Sequence, residues 1–110
     1  MLSAFNLKTG TDFNDFKQDY AKFVSVVRDM ELIVDAGPIG RRISDTPMDT
    51  AEAEHREYFH IMRFQDRAQL EKAYEHLLNN KETRNDKITH IRINRAVVDP
   101  TFICWQEDVD

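Results

Sequence analysis

Apolar and polar residues alternate from the start of the chain. In LSAFNLK (2–8), Phe5 and Leu7 share one side and Leu2, Ala4 and Asn6 the other, which predicts a strand. TGTD follows as a turn, with Thr11 or Asp12 placed to cap a helix. Phe13, Phe16, Tyr20, Phe23, Val24 and Val27 then recur every three or four residues, the stripe of an amphipathic helix over 12–29. ELIVDAG (31–37) predicts a second strand stopped at Gly37-Pro38, and IGRRIS (39–44) resumes it after a bulge or turn. The polar run DTPMDTAEAEH (45–55) predicts a mobile connection.

REYFHIMRFQ (56–65) alternates again, with Tyr58, His60, Met62 and Phe64 opposed to Phe59, Ile61, Arg63 and Gln65. Asp66 and Gln69 have the spacing of a capping box. Leu70, Ala73, Tyr74, Leu77 and Leu78 form a second helical stripe. NNKETRND (79–86) predicts a polar loop or frayed helix end. KITHIRINRAVVD (87–99) predicts a strand ended by Pro100, and TFICWQ (101–106) a short fifth strand at an edge.

The resulting order is β-α-β, a connection, then β-α-β and an extra strand. Two split β-α-β units make a ferredoxin-like α+β sandwich, with both helices on one face of an antiparallel sheet and a single domain over 1–110. Placing Phe5, Leu7, Phe59, Ile61, Ile91 and Ile93 under the helices leaves Ala4, Tyr58, Met62, Phe64, Ala96 and Val98 on the other face. Asn6, His60, His90, Arg92 and Asn94 are set among them. Such a face is too apolar for open water, so a second subunit is expected to cover it sheet to sheet.

Composition narrows the class. Hydrophobic residues are 41% and charged residues 32% of 110, the balance of a globular chain. Net charge is −5 with no basic stripe, which argues against a nucleic-acid partner. No K/R-G-F/Y-G/A-F-V-x-F/Y sequence occurs to suit an RNA-binding sheet. The single cysteine, Cys104, excludes an internal disulfide and a cysteine-rich zinc site. MLSAFNLKTG lacks a signal-peptide pattern, and no run reaches the roughly 18–20 apolar residues that span a bilayer, so a cytoplasmic, non-membrane protein is expected.

A ferredoxin-like subunit that pairs through its sheet face resembles the dimeric α+β barrel superfamily, which includes stress-responsive barrel proteins and cofactor-free monooxygenases of antibiotic biosynthesis. The local likeness lies in 58–76. An alternating strand, Phe64, Asp66, Leu70, Tyr74 and His76 are similar to the strand-F-x-D-x-x-x-L-x-x-Y-x-H pattern of the stress-responsive group. The chain departs from it where Leu77-Leu78-Asn79-Asn80 replace the proline and second histidine that often follow. The resemblance implies a homodimer without a cofactor. It implies a small apolar or aromatic ligand and a possible stress association, or alternatively a cofactor-independent monooxygenase or isomerase acting on an aromatic or polyketide-like substrate. A non-catalytic structural or regulatory dimer is the third reading. The haem-degrading branch is disfavoured, since Asn6 fits loosely and His76 does not suit an axial ligand.

Of the candidate chemical groups, His76 lies roughly 130° from the centre of its helical stripe and is expected in solvent. His60 and His90 fall on alternates assigned to the barrel interior, with Arg92 two residues from His90. An imidazole beside a guanidinium favours its neutral form, which suits a general base. His60, His90 and Arg92 are therefore the catalytic candidates, and Tyr58, His60, Met62, His90, Arg92 and Asn94 the expected ligand-binding set. The same strand histidines would serve equally as a hydrogen-bonded polar layer that fixes dimer register. No H-x-H pair or i, i+4 histidine pair points to a metal. Gly37-Pro38-Ile39-Gly40-Arg41-Arg42 could be imagined as an anion loop, but it lacks a G-x-G-x-x-G or Walker pattern before a helix and reads as a strand break. Cys104, followed by Glu107 and Asp108, lacks the electropositive setting of a reactive thiol.

Overall fold

The structure, a computed structural model, describes residues 1–78 and 84–107, apart from the side chains of 78 and 84–89. The chain runs β1 (Leu2–Leu7), α1 (Phe13–Asp29), β2 (Asp35–Ala36), β3 (Gly40–Arg41), β4 (Tyr58–Arg63), α2 (Arg67–Leu78), α3 (Arg84–Ala96) and β5 (Val97–Ile103). The fold is mixed α+β, with an open, wholly antiparallel sheet ordered β2-β4-β1-β5, and β3 paired along the same edge of β4.

Asp12 caps α1, accepting from the Asp15 N–H at 2.9 Å. Phe16, Tyr20, Phe23 and Val27 turn into the core as their spacing predicts. At α2, Asp66 accepts from the Gln69 N–H at 2.8 Å, while the Gln69 side-chain oxygen accepts from the N–H of Gln65 at 2.6 Å. The capping box therefore closes one residue earlier than its usual form. Ala73 is buried and Leu70 and Leu77 half-buried, but Tyr74 is 66% exposed. His76, expected in solvent, is half-buried in the last turn.

β2 and β3 are two parts of one edge strand. Ala36 pairs with Met62 and Gly40 with Phe59, so four steps on this strand match three on β4. The extra residue is a bulge around Pro38, as the Gly37-Pro38 signal suggested. β5 is the opposite edge and carries a matching irregularity. Asn6 pairs with Val98 and Ala4 with Thr101, so Asp99-Pro100 supplies one residue too many. Asp99 takes up the turn at φ 52°.

Two expectations are corrected. Residues 87–99 do not form a strand, because α3 extends through Ala96 and β5 runs across Pro100 to Ile103. Alternating Ile91 and Ile93 and the β-branched composition favoured a strand. The spacing His90, Ile93, Ala96 and Val97 fits a helix instead, and Ile93 is 8% exposed against 38% for Ile91. Pro100 is tolerated because it sits in a bulge of an edge strand, where no ladder N–H is required. The part of the expected loop that covers 79–83 lies outside the described residues.

The second correction is the phase of β4. Phe5 pairs with Tyr58 and Ser3 with His60, so Tyr58, His60 and Met62 share the helix-covered side with Phe5. Phe59 and Ile61 take the opposite side. Both alternates of this strand are apolar, so alternation alone could not choose the face, and a one-residue slip inverts every side chain. The molecule measures 45 × 42 × 19 Å, the thickness of one helix layer on one sheet. The other sheet face has no covering layer among the described residues.

Candidate functional site

His60 lies at the centre of β4, 8% exposed, with Phe5 and Tyr20 against its ring. The Tyr20 hydroxyl, two turns into α1, lies 2.6 Å from Nδ1 of His60. Burial pushes the imidazolium pKa down to about 4 and raises that of the Tyr20 phenol. Both groups are therefore neutral at pH 7, and the phenol donates to Nδ1, which leaves the ring proton on Nε2. Ser3, opposite His60 in register, holds a buried hydroxyl with no hydrogen-bond partner among the described residues. This polar group is enclosed between sheet and helices. It does not face the surface on which a second subunit would sit.

The other predicted residues separate. Met62 is a core residue, 6% exposed. Tyr58 stacks on Phe13 at 5.2 Å and on Phe5 at 5.9 Å, and the Arg41 guanidinium lies 5.2 Å from both the Phe13 and Tyr58 rings. His90, Arg92 and Asn94 are on α3. A helix places residues 90 and 92 on different sides, unlike a strand. His90 stacks on Phe23 of α1 at 5.1 Å, Arg92 pairs with Asp19 of α1 at 3.1 Å, and Asn94 is exposed. His90 and Arg92 thus fasten α3 to α1, and the six residues do not converge on one site. Among the described residues, no group of three metal-binding side chains occurs.

What the open face does bring together is a set of aliphatic rows. Leu2 pairs with Ile61 on one side and Ile103 on the other, so three apolar side chains cross three strands in register. Ile61 is 46% and Ile103 41% exposed. The next row is Phe59, Ala4 and Thr101, extended by Gly40, over which the Phe59 ring closes. The far end is polar. There the Asn6 amide donates to the His55 carbonyl at 3.3 Å and accepts from the Glu57 N–H at 2.8 Å, while Arg56 donates to the Asp99 carbonyl at 2.7 Å.

The connection over 45–55, expected to be mobile, wraps around Arg42, which the sequence placed only in a strand break. Arg42 donates to both carboxylate oxygens of Asp49, at 2.9 and 2.6 Å, to the Ala51 carbonyl at 2.7 Å and to the Glu54 carbonyl. The guanidinium and the Ala51 N–H hold the Asp49 carboxyl below the usual carboxylate range. The sequence signal was an arginine beside an acidic loop, but nothing in the spacing selected Asp49 from its neighbours. Tyr20 and Asp19 were equally concealed. Each is one polar position on a helix whose partner lies 40 or more residues away.

No protein-family model, curated protein or solved structure matches the chain. Among the described residues, no helix is long and apolar enough to cross a membrane.

Proposed function

We propose that this chain is a ferredoxin-like subunit that pairs sheet to sheet with a second copy, forming a barrel that binds a small apolar or aromatic molecule. The observation that carries it is the Ile61–Leu2–Ile103 row, aliphatic and in register across three strands on the uncovered face. Taking β2 and β3 as one strand, the order edge strand-β4-β1-β5 supports the ferredoxin-like reading, with α3 as an addition before the last strand. Ala4, small and central between Phe59 and Thr101, is where an apolar ligand would rest between the paired sheets. Binding is favoured over cofactor-independent catalysis because His60, the best candidate base, is turned to the other side of the sheet and already engaged by Tyr20. Light scattering at micromolar concentration tests the pairing. A dimer is expected, with more than about 1,200 Å² buried in total. Ile61→Asp, at a half-exposed position, should give a folded monomer. A stable wild-type monomer would refute the proposal, and native mass spectrometry of the purified dimer reads any retained ligand.

A further inference from the structure

On the helix side of the sheet, away from the open face, a groove of about 530 Å³ runs between the end of α1 and the start of α2. Its apolar floor is Ile33, Val34 and Ala68; Val34 is 44% exposed. Arg28 from the last turn of α1 and Lys72 from α2 contribute two cations, and neither has an ion-pair partner among the described residues. Glu31 adds one carboxylate, so the three charged side chains sum to +1. The walls are tied together. The Gln69 amide donates to the Glu31 carbonyl at 3.0 Å and its oxygen accepts from the Gln65 N–H. Glu31, at φ 60°, is the left-handed residue that ends α1, its N–H donating to the Arg28 carbonyl and the Leu32 N–H to the Val27 carbonyl, both at 2.9 Å.

We propose that this groove binds a small organic monoanion, a carboxylate with an apolar aromatic or aliphatic body. The body rests on Ile33, Val34 and Ala68, and the carboxylate meets Arg28 and Lys72. The net charge of +1 matches one negative charge, and the apolar floor favours an organic anion over an inorganic one. The site is independent of the proposed dimer face, so either can fail alone.

Titrating 1-naphthoate into the ¹⁵N-labelled protein tests it, read from amide shifts. Saturable shifts are expected in residues 31–34 and 65–72, at least about tenfold weaker with neutral 1-naphthalenemethanol or with inorganic phosphate. Arg28→Glu combined with Lys72→Glu should weaken binding by a similar factor. Both side chains are exposed, so the fold should persist. Ala68→Trp, which fills the floor, should abolish binding without changing charge. Absent or unsaturable shifts, unchanged affinity in these variants, equal affinity for phosphate, or shifts confined to Leu2, Ala4, Phe59 and Ile61 would each overturn the assignment.

Discussion

Acidification from pH 7 to 5 should remove about 2 kcal/mol of stability through His60 alone. The buried imidazole has a pKa near 4 in the folded chain, against about 6.5 when unfolded. Between those values the unfolded state binds a proton that the folded state refuses, so stability falls as pH falls. The neutral-form advantage is complete above about pH 6.5, shrinks by about 1.4 kcal/mol per pH unit below it and is exhausted near pH 4. The whole span is about 3 kcal/mol, of which about 2 is lost by pH 5. His60→Asn supplies the control. Its Oδ1 lies near the place of Nδ1 and can still accept from Tyr20, but it does not titrate. Urea unfolding at pH 7 and pH 5, followed by circular dichroism, should show the larger decrease in the wild type, and the difference between the two proteins cancels the carboxylates they share. Equal pH dependence in the two proteins, or an NMR titration of His60 centred near 6.5, would refute the reasoning. Tyr20→Phe in the same assay leaves Nδ1 buried without a donor and should cost about 1–3 kcal/mol at pH 7.

Met62→Asp should unfold the chain rather than merely dissociate it, since Met62 is 6% exposed in the core; loss of far-ultraviolet dichroism beside an intact Ile61→Asp would separate core from interface. Arg42→Ala removes the donors that gather Asp49, Ala51 and Glu54, so limited proteolysis within 43–57 should accelerate while the remaining fragment stays folded. The same loop should loosen in the wild type as acid protonates Asp49, whose lowered pKa gives stability that is present above the unfolded value and lost as pH falls through the folded one. Gly40→Ala would place a Cβ 2.5 Å from the Phe59 ring and should destabilise by about 1–3 kcal/mol in urea unfolding unless that ring swings away.

The first half of the fold was legible because its signals agree. The α1 stripe has one physical reading, and Thr11 or Asp12 and Gly37-Pro38 marked a cap and a strand break at the right places, although the strand expected over 31–37 is reduced to Asp35–Ala36. The second half was not, for two different reasons. Residues 87–99 carry isoleucines at both strand and helix spacing, and the contact of α3 with α1, through Phe23 and Asp19, settles the matter in favour of a helix. β4 has apolar side chains on both faces, and His60 points inward, where Tyr20 satisfies it. That hydrogen bond joins residues 40 apart, and local periodicity carries no trace of it. The candidate residues were drawn from the phase of two segments, of which one is inverted and the other is a helix. The groove beside α2 depends on bringing Arg28 near Lys72, which no spacing along the chain announces.

The two prolines at the sheet margins bear on how large an assembly this chain can form. Pro38 lies on one outer strand and Pro100 on the other, each within a bulge that interrupts the row of backbone donors and acceptors. A neighbouring chain trying to extend the sheet sideways would meet a missing N–H and a kinked strand on either margin. Lateral addition, the route to open-ended fibrils, is therefore obstructed in both directions. The sheet-to-sheet pairing proposed above would be self-limiting, because two copies related by a two-fold axis would use up the same patch on each other. In the sheet-to-sheet pair proposed above, the prolines would thus bar growth at the sheet margins.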